Sequence, residues 1–278
     1  MKFKIFLVTA ACVAAALAII AGICLYYYIG ISKPVGQKEY KYKTKEISVE
    51  YNGISLYGKA LIPVGGSGQK FKTVIYAHGA NSNYKSDMTT LKSLAGSGIA
   101  CYTFDFYGWT SKSTGPKGTE WFKGTDISDN DAYIEKVLLQ VEDLNAVIEK
   151  IKSEDFVDKD NIYLLGSSMG GVTVATCAVT HTDDIKGIIL QYPAIFLNEQ
   201  AYKIGAEYDV NGYKNPVLLL QGDSDKVVPD KYSRELCDYY NSIDENHCRM
   251  IIYNGQPHVF TGKYKVIAAR DIYEFISA

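Results

Sequence analysis

The sequence predicts an α/β protein, a mostly parallel sheet with helices on both faces. Three observations lead there. Short, nearly all-apolar runs at 73–77, 162–165 and 217–221 have the character of strands buried on both faces. Helical patterns separate such runs, and strands alternating with helices imply parallel pairing through crossover connections. Near the start, residues 40–62 alternate polar and apolar about Asn52-Gly53, a strong two-residue hairpin turn, which adds antiparallel strands at one edge.

Taken in order, the run Thr73–Ala77 is the first buried strand. A helical stretch from about Ser86 stops near Gly96 and Gly98, and a strand follows over Ile99–Phe106. Residues 107–131 are rich in Gly, Ser, Thr and Lys and form a long excursion. A helix from about Ala132 to Lys152 places Ile134, Val137, Leu138, Val141, Leu144, Val147, Ile148 and Ile151 at spacings of three and four, predicting one buried face. After it come strand Ile162–Leu165, a helix beyond Ser168 and strand Gly187–Gln191. Strand Val217–Gln221, a helix around Tyr232–Tyr240, strand Arg249–Tyr253 and a last helix to Ile276 complete the pattern.

Composition narrows the function classes. With 29 basic and 31 acidic residues the net charge is −2, so no basic face for nucleic acid is expected. The six cysteines match neither a disulfide framework nor a zinc spacing. Cys237 and Cys248 are close enough in sequence to pair, but small buried thiols are the plainer reading.

The first thirty residues stand apart. From Ile5 to Ile29 no residue is charged, and as a helix the run would extend roughly 37 Å, enough to span a bilayer core of about 30 Å. Tyr26, Tyr27 and Tyr28 sit where an interfacial aromatic belt would lie. Residues 1–31 are therefore expected to be a transmembrane anchor holding the lipid bilayer through residues 5–29. A linker over 32–39 and a catalytic domain over 40–278 should follow. Lysines flank the run on both sides, but large domains translocate largely regardless of such counts. An extracellular domain is expected, with secretion after signal cleavage as the alternative.

The candidate chemistry sits at strand ends. Gly166-Ser167-Ser168-Met169-Gly170-Gly171 follows a buried strand and opens a helix. A reversal this sharp leaves no room for side chains two positions before and after the serine. It pushes Ser168 out above the sheet and turns the Met169 amide toward any anion formed beside it. A serine hydroxyl needs a base within hydrogen-bond reach. Of the four histidines, His78 comes too early, His181 suits a helix end and His247 lies in a polar loop. His258 follows the last strand on a loop that should reach Ser168. The acid should come from the loop after the preceding strand, which offers both Asp223 and Asp225; position alone does not separate them.

The order Ser168, then the aspartate pair, then His258, together with Gly222-Asp223-Ser224-Asp225-Lys226-Val227-Val228-Pro229, resembles the α/β-hydrolase fold from about Tyr40 onward. Within it, His78-Gly79-Ala80-Asn81-Ser82-Asn83 and Phe104-Asp105-Phe106-Tyr107-Gly108 are similar to segments of bacterial cinnamoyl and feruloyl esterases and serine aminopeptidase-like hydrolases. The resemblance implies an eight-stranded sheet and a triad of Ser168, Asp225 and His258, with Asp223 bracing the loop. It also implies an oxyanion hole from the amides of Ala80 and Met169.

The related esterases carry a sizeable lid, whereas only residues 193–215 separate the corresponding strands here, so a reduced cap is expected. The excursion could take over part of its work, making Tyr107, Trp109 and Trp121 substrate-pocket candidates, with Asn81 of the His78–Asn83 segment as a further one. Equally, its aromatics could simply pack the loop onto the body. The function expected is hydrolysis of a small-molecule ester of small to medium acyl or aryl groups, requiring neither cofactor nor metal. An amide or peptide hydrolase is the second reading, and a tethered binding protein without catalysis the third.

Overall fold

A computed structural model describes residues 35–110, 112–122, 130–196 and 213–278. The expected anchor at 1–31 and residues 197–212 of the expected cap lie outside them. Among the described residues no helix is long and apolar enough to cross a membrane.

The described residues form ten strands: β1 (Tyr42–Glu46), β2 (Val49–Tyr51), β3 (Ile54–Leu56), β4 (Gly58–Pro63), β5 (Phe71–Ala77), β6 (Ala100–Phe104), β7 (Val157–Ser167), β8 (Ile185–Gln191), β9 (Val217–Gly222) and β10 (Cys248–Tyr253). Five helices are described: α1 (Met88–Ala95), α2 (Asn130–Lys152), α3 (Met169–Thr180), α4 (Asp230–Ile243) and α5 (Tyr264–Ser277). Eight strands make the main sheet in the order β1-β4-β6-β5-β7-β8-β9-β10, parallel from β6 to β10.

The apolar runs are explained by two hydrophobic layers. Along β9, Val217 and Leu219 face one layer while Leu218 and Leu220 face the other. Likewise Ile75 and Val74 of β5 point to opposite sides, so neither parity can be polar. Leu91 and Leu94 of α1 and Ile272 and Ile276 of α5 cover one face. Val137 and Leu144 of α2, Val172 of α3 and Leu236 of α4 cover the other.

The opening hairpin differs in one respect from expectation. Tyr51 pairs with Ile54 across Asn52-Gly53, both central residues having positive φ, as a type I′ turn needs. Yet β2 and β3 form a small sheet of their own, and it is β1 and β4 that supply the antiparallel edge. A second correction concerns α2, where Leu138 is 49% exposed; its neighbour Val137 takes the buried position.

Strand order positions the site. From β5 the chain goes through α1 to β6 on one side, then through α2 back past β5 to β7 on the other. The loops leaving β5 and β7 therefore part, opening a crevice at a topological switch point. Register places Ala77 beside Gly166 and Ser167 beside Gln191, so the loop after β5 stands next to Ser168.

Candidate active site

Ser168 lies between β7 and α3 with φ 54° and ψ −119°, a left-handed conformation that disfavours any side chain. Its surroundings enforce this. A Cβ on Gly166 would lie 2.3 Å from the Gly170 carbonyl oxygen, and one on Gly170 would lie 2.3 Å from that of Ala77. The Ser168 N–H donates to the Gln191 carbonyl at 3.0 Å, and its own carbonyl accepts from Gly171 and Ala194. Thus the turn is held against both neighbouring strands.

The loops after β9 and β10 bring the partners in. Gly222 packs against the backbone of Gln256, where a Cβ would meet the Gln256 oxygen at 2.2 Å. Gln256 Oε1 accepts from the Thr261 N–H at 3.0 Å, bracing the loop that carries His258. His258 Nε2 lies 3.0 Å from Ser168 Oγ, and Nδ1 lies 2.7 Å from Asp225 Oδ2. Because a carboxylate only accepts, Nδ1 carries the proton, leaving Nε2 free to accept from the serine hydroxyl.

Asp225 is saturated with donors. Oδ2 also accepts from Gln221 Nε2 at 3.0 Å, and Oδ1 accepts from the Val227 and Val228 amides at 2.8 and 2.9 Å. Burial pushes this carboxyl up, but His258 and the two amides outweigh it and hold the group below its ordinary value. Asp223 is exposed, and its Oδ1 accepts from the Gly255 N–H at 2.6 Å, tying the two loops together.

Met169 is the first residue of α3, so its N–H is one of the donors a helix start leaves without an internal partner. Ala80 follows Gly79 on the loop after β5. Neither N–H donates to another described group. His78 fixes that loop: Nδ1 donates to the Gly79 carbonyl at 2.8 Å and Nε2 accepts from the Phe106 N–H at 3.3 Å. Burial lowers its pKa, against smaller opposing effects of the Gly79 carbonyl and Asp105, so a neutral ring suits both bonds.

A cleft of about 440 Å³ adjoins Ser168 and His258, with Ala80, Tyr192 and Phe260 on its walls. Tyr107, Trp109 and Trp121 are not among the described residues that line it. The Trp121 and Phe122 rings lie 3.7 Å apart, Trp109 packs on Phe122 and is 7% exposed, and Tyr107 packs on Trp121. They hold the excursion to the body. Asn81, in a left-handed conformation, lines a neighbouring cleft with Trp109 instead.

Several neighbours escaped the sequence reading. Tyr192, with φ 40°, sets its ring 4.8 Å from that of His258. Gln221 supports Asp225, and Gln191 Oε1 accepts from Ser167 Oγ at 2.9 Å. A glutamine at the end of each of two apolar runs, 187–191 and 217–221, was the available signal. Elsewhere, Glu149, His181 and Asp184 bring possible metal-ligand atoms within 4.8 Å of one another. Lys152 already lies 2.8 Å from Asp184 and 3.6 Å from Glu149, and the cluster is at the far end of α3 from Ser168.

Fold and site together define a serine hydrolase of the α/β-hydrolase class. More narrowly, a family model described as serine aminopeptidase, S33, matches residues 68–208, and the chain belongs to that family. No curated protein matches the chain. Among solved structures it is similar to Est1E from Butyrivibrio proteoclasticus with ferulic acid bound, at 20% identity and a TM-score of 0.66, over 83% of this chain and 98% of that one. It is similar to a dienelactone hydrolase from Anabaena variabilis at 16% identity and 0.63, over 85% and 97% of the two chains. Porphyromonas gingivalis dipeptidyl peptidase 4 is matched at 17% identity and 0.60, over 86% of this chain but 36% of that one. At these identities the likeness establishes the fold.

Proposed function

We propose that the protein hydrolyses carboxylic esters of small to medium acyl or aryl groups through an acyl-enzyme on Ser168. The observation that carries this reading is the 3.0 Å approach of His258 Nε2 to Ser168 Oγ, with Asp225 behind the ring. His258 takes the hydroxyl proton as Ser168 attacks the ester carbonyl carbon, and Asp225 stabilises the imidazolium that results. The amides of Ala80 and Met169 hold the oxyanion, where losing one donor typically costs about 3–4 kcal/mol of barrier. Protonation by His258 releases the alcohol. Water, deprotonated by the same ring, then frees the acid and restores the serine. Every step uses groups of the chain itself.

The binding of ferulic acid to Est1E supports an aryl acid product of this kind. A second reading, amide or peptide hydrolysis, is favoured by the description of the family. Amides need fuller protonation of their leaving nitrogen, so the same machinery cleaves the ester of a given acid more readily. The test is a matched ester and amide of one acyl group, compared by kcat/KM in the full chain and in Ser168→Ala. Ester turnover lost in the variant, with amide turnover no higher than the variant's background, supports the proposal, and Ser168-dependent amide turnover of comparable kcat/KM reverses it. The apolar run at 5–29 supports a single-pass anchor, and the readiness of large domains to translocate whatever the flanking lysines supports an extracellular domain. Protease digestion of intact cells should remove the domain if so, and protection would contradict it.

A further inference from the structure

The described cysteines are of two sorts. Cys101 and Cys177 lie in opposite hydrophobic layers, and burial alone raises both thiols. Cys237 of α4 and Cys248, the first residue of β10, are close enough for their thiols to act on each other. Three hydrogen-bonding groups hold them there. The Cys237 thiol donates to the Cys248 carbonyl oxygen at 3.5 Å. Asn241, one turn further along α4, accepts from the Cys248 N–H at 2.8 Å. Its Nδ2 donates to the Cys248 carbonyl at 3.1 Å and approaches Cys237 Sγ at 3.7 Å. Cys237 is 9% exposed and Cys248 5%, whereas Asn241 is itself exposed, so the pair lies one side chain beneath the surface. The position is a joint of the molecule: α4 leads out of the Asp225 loop, and β10 leads into the His258 loop.

We propose that Cys237 and Cys248 are a disulfide-forming pair, oxidised by a small-molecule disulfide to a bond that staples α4 to β10. The hydrolase reading plays no part in this. Cys237 is the attacking thiol. The Cys248 side chain favours its thiolate, against burial and the charge of Asp238, while Cys237 and burial push the Cys248 thiol upward. The Cys237 thiolate attacks one sulfur of the reagent, whose S–S bond breaks, and the departing thiolate takes up a proton. Cys248 then gives up its proton and attacks the Cys237 sulfur, expelling the second thiol. Two protein thiols are thereby oxidised and one disulfide is reduced to two thiols. Burial opposes a thiolate at Cys101 and Cys177, so both should stay reduced. Closing residues 237–248 into a loop removes freedom from the unfolded chain and favours the folded one. A domain outside the membrane, as proposed above, would meet such oxidants.

The test is peptide mass spectrometry of the folded, full-length protein kept with dithiothreitol or with oxidised glutathione, then denatured and alkylated with iodoacetamide. Trypsin should release residues 235–249 as one peptide holding both cysteines. Reduced protein should give this peptide alkylated at both thiols. Oxidised protein should give it unalkylated and lighter by two hydrogens than the free dithiol, with Cys101 and Cys177 still alkylated. Cys248→Ser should instead trap glutathione on Cys237, because the second attack is lost. In urea, the oxidised wild type should show a folding equilibrium constant about a hundredfold above that of the reduced form. A 235–249 peptide alkylated at both cysteines after oxidation overturns the proposal, and so does a disulfide that fails to raise stability. Should the serine variant not fold, the wild-type peptide and its urea titration decide. Neither readout involves turnover, so a failed hydrolase assay would not count against the pair.

Discussion

Asp225 offers one oxygen to His258 Nδ1 at 2.7 Å while two backbone amides clamp the other. The ring is thereby fixed in one tautomer before any substrate arrives. Asp225→Asn should lower kcat about 10⁴-fold, because the amide favours the opposite tautomer. Asp223→Asn should change it less than about tenfold, as that residue only ties loops together. Equal losses in steady-state kinetics would contradict this division of roles.

Gly170 lies so close to β5 that a Cβ would stand 2.3 Å from the Ala77 oxygen and 2.6 Å from that of His78. Backbone cannot step aside as a side chain can. Gly170→Ala should therefore destabilise by at least about 1–3 kcal/mol and impair turnover, since the displaced loop carries Ala80. Gly66, where a Cβ would meet nothing within 4 Å, is the control, and Gly66→Ala should stay within about 0.5 kcal/mol. Urea denaturation of both variants checks the contrast.

Trp109 packs on Phe122 and is not among the described residues lining the Ser168 cleft. Trp109→Ala should cost about 3–5 kcal/mol of stability and leave the preferred acyl length unchanged. A shifted preference across a series of p-nitrophenyl esters, in protein shown to be folded, would return this residue to the substrate wall.

Asp143 is buried on α2 between the Tyr51 hydroxyl and the Tyr107 N–H. Burial raises its pKa from 3.8 to about 7, against the lowering effect of those two bonds. A carboxyl raised on folding contributes stability that is fully present below the unfolded value and lost as pH rises through the folded one. Stability should thus decline between about pH 4 and pH 7 by up to about 1.4 kcal/mol per unit from this group. Asp225, lowered on folding, acts with the opposite sign and only at lower pH. Denaturation midpoints for wild type and Asp143→Asn should differ in pH slope across that window, and parallel slopes would refute the assignment.

Much of the fold was legible because two-sided burial leaves a strand no polar position, as in Val217–Leu220. The meeting of Ser168, Asp225 and His258 was legible from strand order and from the glycines a sharp turn needs. Other features were not. Leu138 fits the helical period of α2, yet stands at the margin of the face that Val137 fills. Trp109 and Trp121 have the same composition whether they line a pocket or pack a loop, and only tertiary contacts decide.

The most direct measurement is covalent labelling of the full chain with a fluorophosphonate, followed by peptide mass spectrometry. Modification at Ser168, abolished by Ser168→Ala and strongly slowed by His258→Ala, is the expected result. An unlabelled Ser168 in folded protein, or equal labelling without His258, would contradict an activated serine at this site.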